Sequence, residues 1–314
     1  MENQKPRIEF YRQRTFSEKL NVTFEFIREN WKPLLKYTFY LIMPICLIQT
    51  FAMNAFINGY FDLILSMNRG NSYFGYSMYG FAANYGILLF CMLIGSAILS
   101  GLVYALMQTY ATRADRLQNL TLNDFKERLT GNTWKCLRII FFLIFVTIVI
   151  IAFAGLLAVL VSVYSLILTI PLLILFILCL IPFMLLVPAY IFEREISFFG
   201  AVRKAWKLGI STLGGMFGLM FVLSIITSVI QTVTMLPWYI TIIVGNVMAI
   251  TTESGMDQSV IYKFILYILG LIQSYGVYVS SVISVTGLAF QYFHAREKVE
   301  GVTIESNISN FNNL

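Results

Sequence analysis

From Ile139 to Phe192 the chain runs for 54 residues without one Asp, Glu, Lys, Arg or His. A single helix of that length would extend roughly 80 Å at about 1.5 Å per residue, whereas a bilayer's hydrocarbon core is about 30 Å thick. The stretch therefore has to fold back once, giving spans at about 139–161 and 167–192. The turn is expected between Val161 and Pro171, where Ser162, Tyr164, Ser165 and Thr169 dilute the aliphatic run and Pro171 can open a helix. Four more apolar stretches, about 33–57, 81–110, 213–236 and 260–293, complete an all-α, polytopic membrane protein of six transmembrane helices.

The polar intervals carry a helical period of their own. Phe16, Leu20, Phe24, Ile27 and Trp31 recur at helical spacing, while Glu18, Asn21, Glu25, Arg28 and Glu29 fall mainly elsewhere on the wheel. That segment is too charged to cross a bilayer and reads as a helix lying in the interface. Within 111–138, Thr121 and Asp124 resemble a capping box, and Leu122, Phe125 and Leu129 form a short apolar stripe. After Glu193-Arg194-Glu195 a third amphipathic segment places Phe199, Val202 and Trp206 on one side and Arg203, Lys204 and Lys207 towards another. The order of amphipathic helix and two spans thus recurs three times, with a Trp-Lys pair at each entry: Trp31-Lys32, Trp134-Lys135 and Trp206-Lys207. A threefold pseudo-repeat would give this pattern, and so would the preference of Trp and Lys for cytoplasmic interfaces.

The remaining intervals are expected to be irregular. Residues 1–15 read as a mobile polar tail, 58–80 as a loop rich in Gly, Asn and Tyr, and 294–314 as a polar tail that frays. Pro237 is expected to end the fifth span. Tyr239–Ile250 is then too short to cross, which leaves a re-entrant piece, a folded-back extension or an outer-surface helix.

Charge orients the array. Lys and Arg number eight through Lys36, six in 111–138, four in 193–211 and two after the last span, twenty on one side, while Arg69 and Lys263 alone fall on the other. Positive residues mark the cytoplasmic face, so both termini are expected inside. The net charge of +6 flanks spans instead of forming one patch, which argues against a nucleic-acid partner and for membrane lipids. With 58% hydrophobic and 12% charged residues, the chain lies outside the range of soluble domains, which carry about a quarter charged residues. Residues 1–32 carry charge throughout, so the first span is expected to serve as the membrane signal.

Candidate chemistry is sparse. Cys46, Cys91, Cys136 and Cys179 sit in or beside apolar runs and read as packing thiols. His294 is the only histidine, which weakens any site needing several imidazoles, and no nucleotide-loop, nucleophile-elbow or zinc-helix motif is present. No catalytic residue, metal or cofactor is therefore implied. Glu193 and Glu195 suit a helix start, and Glu193 can pin the following helix through Arg203 or Lys204. No ionisable group lies deep in a span; polarity there is limited to groups such as Gln49, Asn54, Asn84, Gln108, Gln231 and Gln273, which more often join helices than bind substrate. Small faces at Ala97/Gly101/Ala105, Gly214/Gly218 and Gly276/Ser280/Ser284 suit close helix contact. Pro182 and Pro188 free the carbonyls of Leu178 and Met184, so Pro182, Pro188 and Glu193 mark a kink that serves packing or a hinge.

Val187-Pro188-Ala189-Tyr190-Ile191-Phe192-Glu193, followed by Gly200-Ala201-Val202-Arg203-Lys204-Ala205-Trp206-Lys207-Leu208-Gly209, resembles a pattern of bacterial membrane proteins. These are related to the membrane domain fused to some glycerophosphodiester phosphodiesterases. In that group a span ends with Pro and Glu, and a short helix follows with Ala, a basic pair, an aromatic and a Gly; Ala205 stands where Ser is usual. The resemblance implies a multi-span module with interfacial helices in a bacterial inner membrane, and no reaction. The expected role is a non-enzymatic scaffold or accessory module. Arg203, Lys204, Trp206, Lys207, Trp31 and Trp134 would contact anionic lipid, a protein partner or a second copy. The alternative is a permeation path for a lipid-like or neutral solute. A membrane-embedded enzyme would need Glu193, Glu195, Arg203 or His294 to converge.

Overall fold

The computed structural model describes residues 6–67, 71–160, 171, 180–193, 195–251 and 259–303. Residues 161–170, where the turn between the third and fourth spans is expected, lie outside the described residues, as does Cys179. The described elements are helical: α1 (Phe16–Glu29), α2 (Trp31–Met67), α3 (Asn71–Thr112), α4 (Lys126–Leu160), α5 (Leu186–Phe192), α6 (Phe198–Ser211), α7 (Leu213–Thr251) and α8 (Val260–Glu300), with 3-10 turns at Leu122–Asp124 and Ile181–Leu185. Five helices among these residues are long and apolar enough to cross a membrane: Trp31–Phe61, Met78–Thr112, Lys126–Phe153, Leu213–Gly245 and Val260–Glu300. Of the expected fourth span only its end is described, as the short apolar stretch Ile181–Phe192. This is the architecture of a multi-pass membrane protein.

Several expected boundaries move, each for a packing reason. Among the described residues the interval 58–80 is helical, where a loop was expected: α2 continues to Met67 and α3 begins at Asn71. Phe56 and Tyr60 pack on Phe81 with ring centroids 4.8 and 6.4 Å apart, and this contact overrides the loop-like composition. Pro237 does not end its helix either; α7 runs through it to Thr251. The turn after it is anchored, because Trp238 and Ile242 are buried with Met53 and Leu266, and Tyr262 donates to the Thr241 carbonyl at 3.1 Å.

In the middle interval the capping box forms, with Asp124 accepting from the Thr121 N–H at 2.8 Å. No separate amphipathic helix follows it. α4 starts at Lys126 and runs on through Gly131 as the span itself, with no proline to stop it. The two free-standing amphipathic helices are α1 and α6, so the three-fold order is not reproduced in this interval.

The chain divides into two compact units. The first comprises Met1–Trp31, Ser100–Leu223 and Ile283–Leu314; the second comprises Lys32–Leu99 and Ser224–Val282. In the second unit, neutral side chains tie helix to helix. Tyr278 Oη donates to Gln49 Oε1 at 2.7 Å, Trp238 Nε1 to Asn54 Oδ1 at 2.9 Å, and Gln231 Nε2 to Ser280 Oγ at 3.1 Å. Gly276 lets Thr234 approach so closely that a Cβ there would lie 2.8 Å from the threonine Cβ. Of the expected small faces, that of α8 is therefore used. So is that of α3, where Gly101 abuts the Thr133 backbone; on α7 Gly214 has nothing near it, while a Cβ on Gly218 would lie 3.6 Å from the Phe16 ring.

The first unit begins with a segment expected to be a mobile tail. Residues 6–14 are instead a packed strap. Phe10 stacks between Tyr110 and Phe293 (centroids 5.9 and 5.0 Å) and meets Phe290 edge-on at 5.7 Å. Arg7 donates to the carbonyl of Tyr110, in the last turn of α3, and to that of Arg113, which also accepts the Arg116 N–H at 3.3 Å. Thr15 then caps α1, its N–H bonding Glu18 Oε2 at 2.7 Å in a capping box. Asn30 closes α1 by donating to the Phe26 carbonyl at 2.9 Å.

Candidate functional site

The chemistry-bearing residues of the first unit gather around α6. Ser197 opens this helix by accepting from the Gly200 N–H at 3.1 Å. Ala201, Ala205 and Gly209, four residues apart, form its buried stripe together with Leu208. That stripe meets the 3-10 turn: a Cβ on Gly209 would lie 2.5 Å from Pro182 Cα, so the two backbones touch. Only glycine fits there. The proline-to-glycine pattern that carried the family resemblance is thus, physically, a joint between two helical pieces. Pro182 and Pro188 are both buried in it, and the helix passes from 3-10 to α geometry between them.

A closed ring of charge locks the joint. Lys204 Nζ lies 2.5 Å from Glu193 Oε1 and 2.8 Å from Glu300 Oε2, and Arg296 Nε lies 3.1 Å from each of the same carboxylates. Each cation therefore faces both anions. Tyr292 Oη donates to Glu193 at 2.7 Å, and Arg296 donates to Tyr11 Oη at 3.0 Å, which brings the strap into the same network. Burial alone would raise the Glu193 carboxyl, but hydrogen bonds from Lys204 and Tyr292 and the charge of Arg296 outweigh it and hold the group below its ordinary value. The expected Glu193–Lys204 pairing is present. Its partners on α8 explain why that helix continues past Phe293 to Glu300 where a frayed tail was expected.

The predicted lipid-contacting residues separate into two groups. Lys204 is turned inward to the ring and is not offered to the surroundings. Arg203 and Lys207 are exposed, and beside them Phe199 (75% exposed), Trp206 and Ile210 are exposed too. The outer face of α6 is accordingly a mixture of bare aromatic, aliphatic and cationic side chains. Trp31 and Trp134 are also exposed. So are Phe16 and Phe24 on α1, whose buried side is the other one, with Lys19, Val22, Thr23 and Phe26.

Residues weighed for catalysis have separate occupations. Glu193 is in the ring. Glu195 is exposed with a positive φ of 58°. His294 accepts the Arg14 N–H on Nδ1 at 3.0 Å. Arg203 is on the outer face of α6. Among the described residues no three His, Cys, Asp or Glu side chains are grouped to hold a metal.

One polar centre gave no sign in the sequence. Lys19 is buried on α1, with 3% exposure, and its Nζ donates to Gln291 Oε1 at 2.7 Å. Gln291 in turn donates to Thr212 Oγ1 at 3.2 Å. Burial, and then the charge of Lys298, push the Lys19 ammonium down from its ordinary value. Nothing in the period of α1 distinguishes Lys19 from a solvated charge.

No protein-family model, curated protein or solved structure matches this chain.

Proposed function

We propose that the protein is a non-enzymatic scaffold or accessory module of a bacterial inner membrane, with both termini in the cytoplasm, akin to the phosphodiesterase-associated membrane modules. Its outward-facing helix α6 holds anionic lipid and, through the same face, a protein partner. The observation that carries the reading is the composition of that face. Arg203 and Lys207 stand exposed among Phe199, Trp206 and Ile210, while the third cation, Lys204, is consumed by the ion ring. Aromatic side chains suit the headgroup level, and each Lys or Arg near an anionic surface contributes about 1 kcal/mol. Glu193 and His294, which an enzyme would need, are engaged in structural contacts, the first in the ion ring and the second with the Arg14 N–H. The amides that a solute path would need largely pair across helices: Gln49 with Tyr278, Asn54 with Trp238 and Gln231 with Ser280.

The test is lipid selectivity. With the protein reconstituted in mixed phosphatidylglycerol and phosphatidylcholine, the lipids retained at its surface are measured for the wild type and for Arg203→Gln/Lys207→Gln. The double variant should lose most of the preference for phosphatidylglycerol. An unchanged preference would overturn the reading.

A further inference from the structure

The strap of residues 6–14 is joined to α8 by a bond that depends on a titratable ring. His294 accepts the Arg14 N–H on Nδ1 at 3.0 Å. A ring nitrogen that accepts a hydrogen bond has a free lone pair, whereas an imidazolium carries a proton on both nitrogens and accepts on neither. Histidine is also the side chain whose ordinary pKa, about 6.5, puts that change close to neutral pH.

Arg14 couples this bond to the rest of the strap. The residue is buried, and its guanidinium donates to the carbonyls of Glu9, Phe10 and Arg12. It thus gathers the strap backbone with its side chain and docks it on α8 with its N–H. Displacing Arg14 from the ring displaces those three residues with it, and Phe10 is the side chain seated against Tyr110, Phe290 and Phe293. Other ties of the strap are Arg7 to the end of α3, the Ile8 N–H to Tyr110 Oη at 3.3 Å, Arg296 to Tyr11 Oη, and Thr303 Oγ1 to the Tyr11 carbonyl. None of these uses a group that changes charge between neutral and mildly acidic pH.

The surroundings oppose a charged ring. Arg14 from the strap, Lys19 from α1 and Lys298 from α8 are the charges that act on it, all of one sign. The carboxylates of the same elements are turned elsewhere. Glu18 caps α1, Glu29 meets Tyr110 and Arg116, Glu297 holds the N–H and hydroxyl of Thr303, and Glu300 is in the ion ring. Glu9 and Glu25 are exposed. The first turn of α7, residues 213–216, joins this region through the Thr212–Gln291 bond and carries no charge. A proton on His294 would therefore remove the acceptor of Arg14 and set a fourth positive charge among three.

We infer that His294 is a proton-operated latch: protonation of its ring detaches the strap of residues 6–14 and uncovers the aromatic pocket that Phe10 occupies. Neutral pH closes the strap and acid opens it. The device lies on the strap and α8 and does not depend on the reading of the α6 face.

The experiment uses the full chain in maltoside micelles and reads hydrogen exchange of the strap amides, as protection relative to an unstructured peptide at the same pH. The released ring titrates near its ordinary value, so the open fraction should rise about tenfold between about pH 7.5 and about pH 5.5. Carboxylates stay ionised in that window, which keeps the ion ring out of the readout. In the wild type, protection of the Ile8 and Arg14 amides should fall together by that factor. In His294→Gln, whose amide oxygen can accept the same N–H without titrating, protection should not change with pH. His294→Lys carries a permanent charge and should leave the strap unprotected at both pH values, which decides the matter if His294→Gln does not fold. Wild-type protection that is independent of pH, an equal fall in His294→Gln, or wild-type protection at neutral pH in His294→Lys would each overturn the inference. So would loss of protection at Arg14 with Ile8 unchanged.

Discussion

Each of the two units is held together internally by different forces. The first carries 18 Lys and Arg and 13 Asp and Glu, the second only 4 and 3. In the first unit, helices are joined by paired charges, a plugged aromatic cluster and a backbone-to-backbone contact. In the second they are joined by single neutral hydrogen bonds and by side chains seated against glycine. The contrast teaches where sensitivity should lie. A charge ring loses two contacts when any member is removed and leaves its partners uncompensated, whereas a neutral pair loses one modest bond.

The largest effect should come from Gly209→Ala. The new methyl meets the Pro182 backbone, which cannot rotate aside, and overpacking of this kind costs typically 1–3 kcal/mol, here about the upper figure. Gly276→Ala in the second unit meets only the Thr234 side chain and should cost less. Thermal unfolding of both in the same detergent checks the order; equal losses would erase the distinction between backbone and side-chain contact.

Next in size is Glu193→Gln. It removes the charge that faces Lys204 and Arg296, and a hydrogen bond to a charged group contributes about 1.5–3 kcal/mol. The effect should depend on pH. Because the folded carboxyl is held below its ordinary value, its stabilisation is complete above the unfolded carboxylate pKa and disappears as pH falls through the folded one. The gap in Tm between wild type and Glu193→Gln should therefore be widest at neutral pH and close in acid. A gap that widens in acid would contradict the ring.

The smallest effect belongs to the second unit. Asn54→Ala removes the acceptor of Trp238 Nε1, and interhelical bonds of this type average about 0.6 kcal/mol. A loss as large as that of Glu193→Gln would show that the neutral unit is as tightly coupled as the charged one.

The sequence was most legible where the physics is local. An uncharged run longer than a bilayer must cross it, and the long apolar helices stand close to where hydropathy puts them. The Glu193–Lys204 pair and the Thr121–Asp124 capping box were legible because their members are near in sequence. The ring's other half was not: Arg296, Glu300 and Tyr11 lie about a hundred residues or more from Glu193, and no periodicity carries across that distance. Phe10, flanked by Glu9, Arg12 and Arg14, reads as part of a charged tail until the pocket made by Tyr110, Phe290 and Phe293 is seen. Pro237 misled for the opposite reason, since a proline ends a helix only when nothing anchors the next turn, and Trp238 does.

Lys204 and Lys207 are neighbours on one short helix with one turned inward and the other exposed, and a crossed comparison separates what they do. Lys204→Gln and Lys207→Gln are each measured for thermal stability and for preference between phosphatidylglycerol and phosphatidylcholine. Lys204→Gln should lower Tm with lipid preference intact, because its ammonium is held by Glu193 and Glu300. Lys207→Gln should lower the preference with Tm intact, because its side chain is exposed. If Lys204→Gln shifts the lipid preference as much as Lys207→Gln, or if neither shifts it, the division of α6 into a locked inner side and a lipid-facing outer side is wrong.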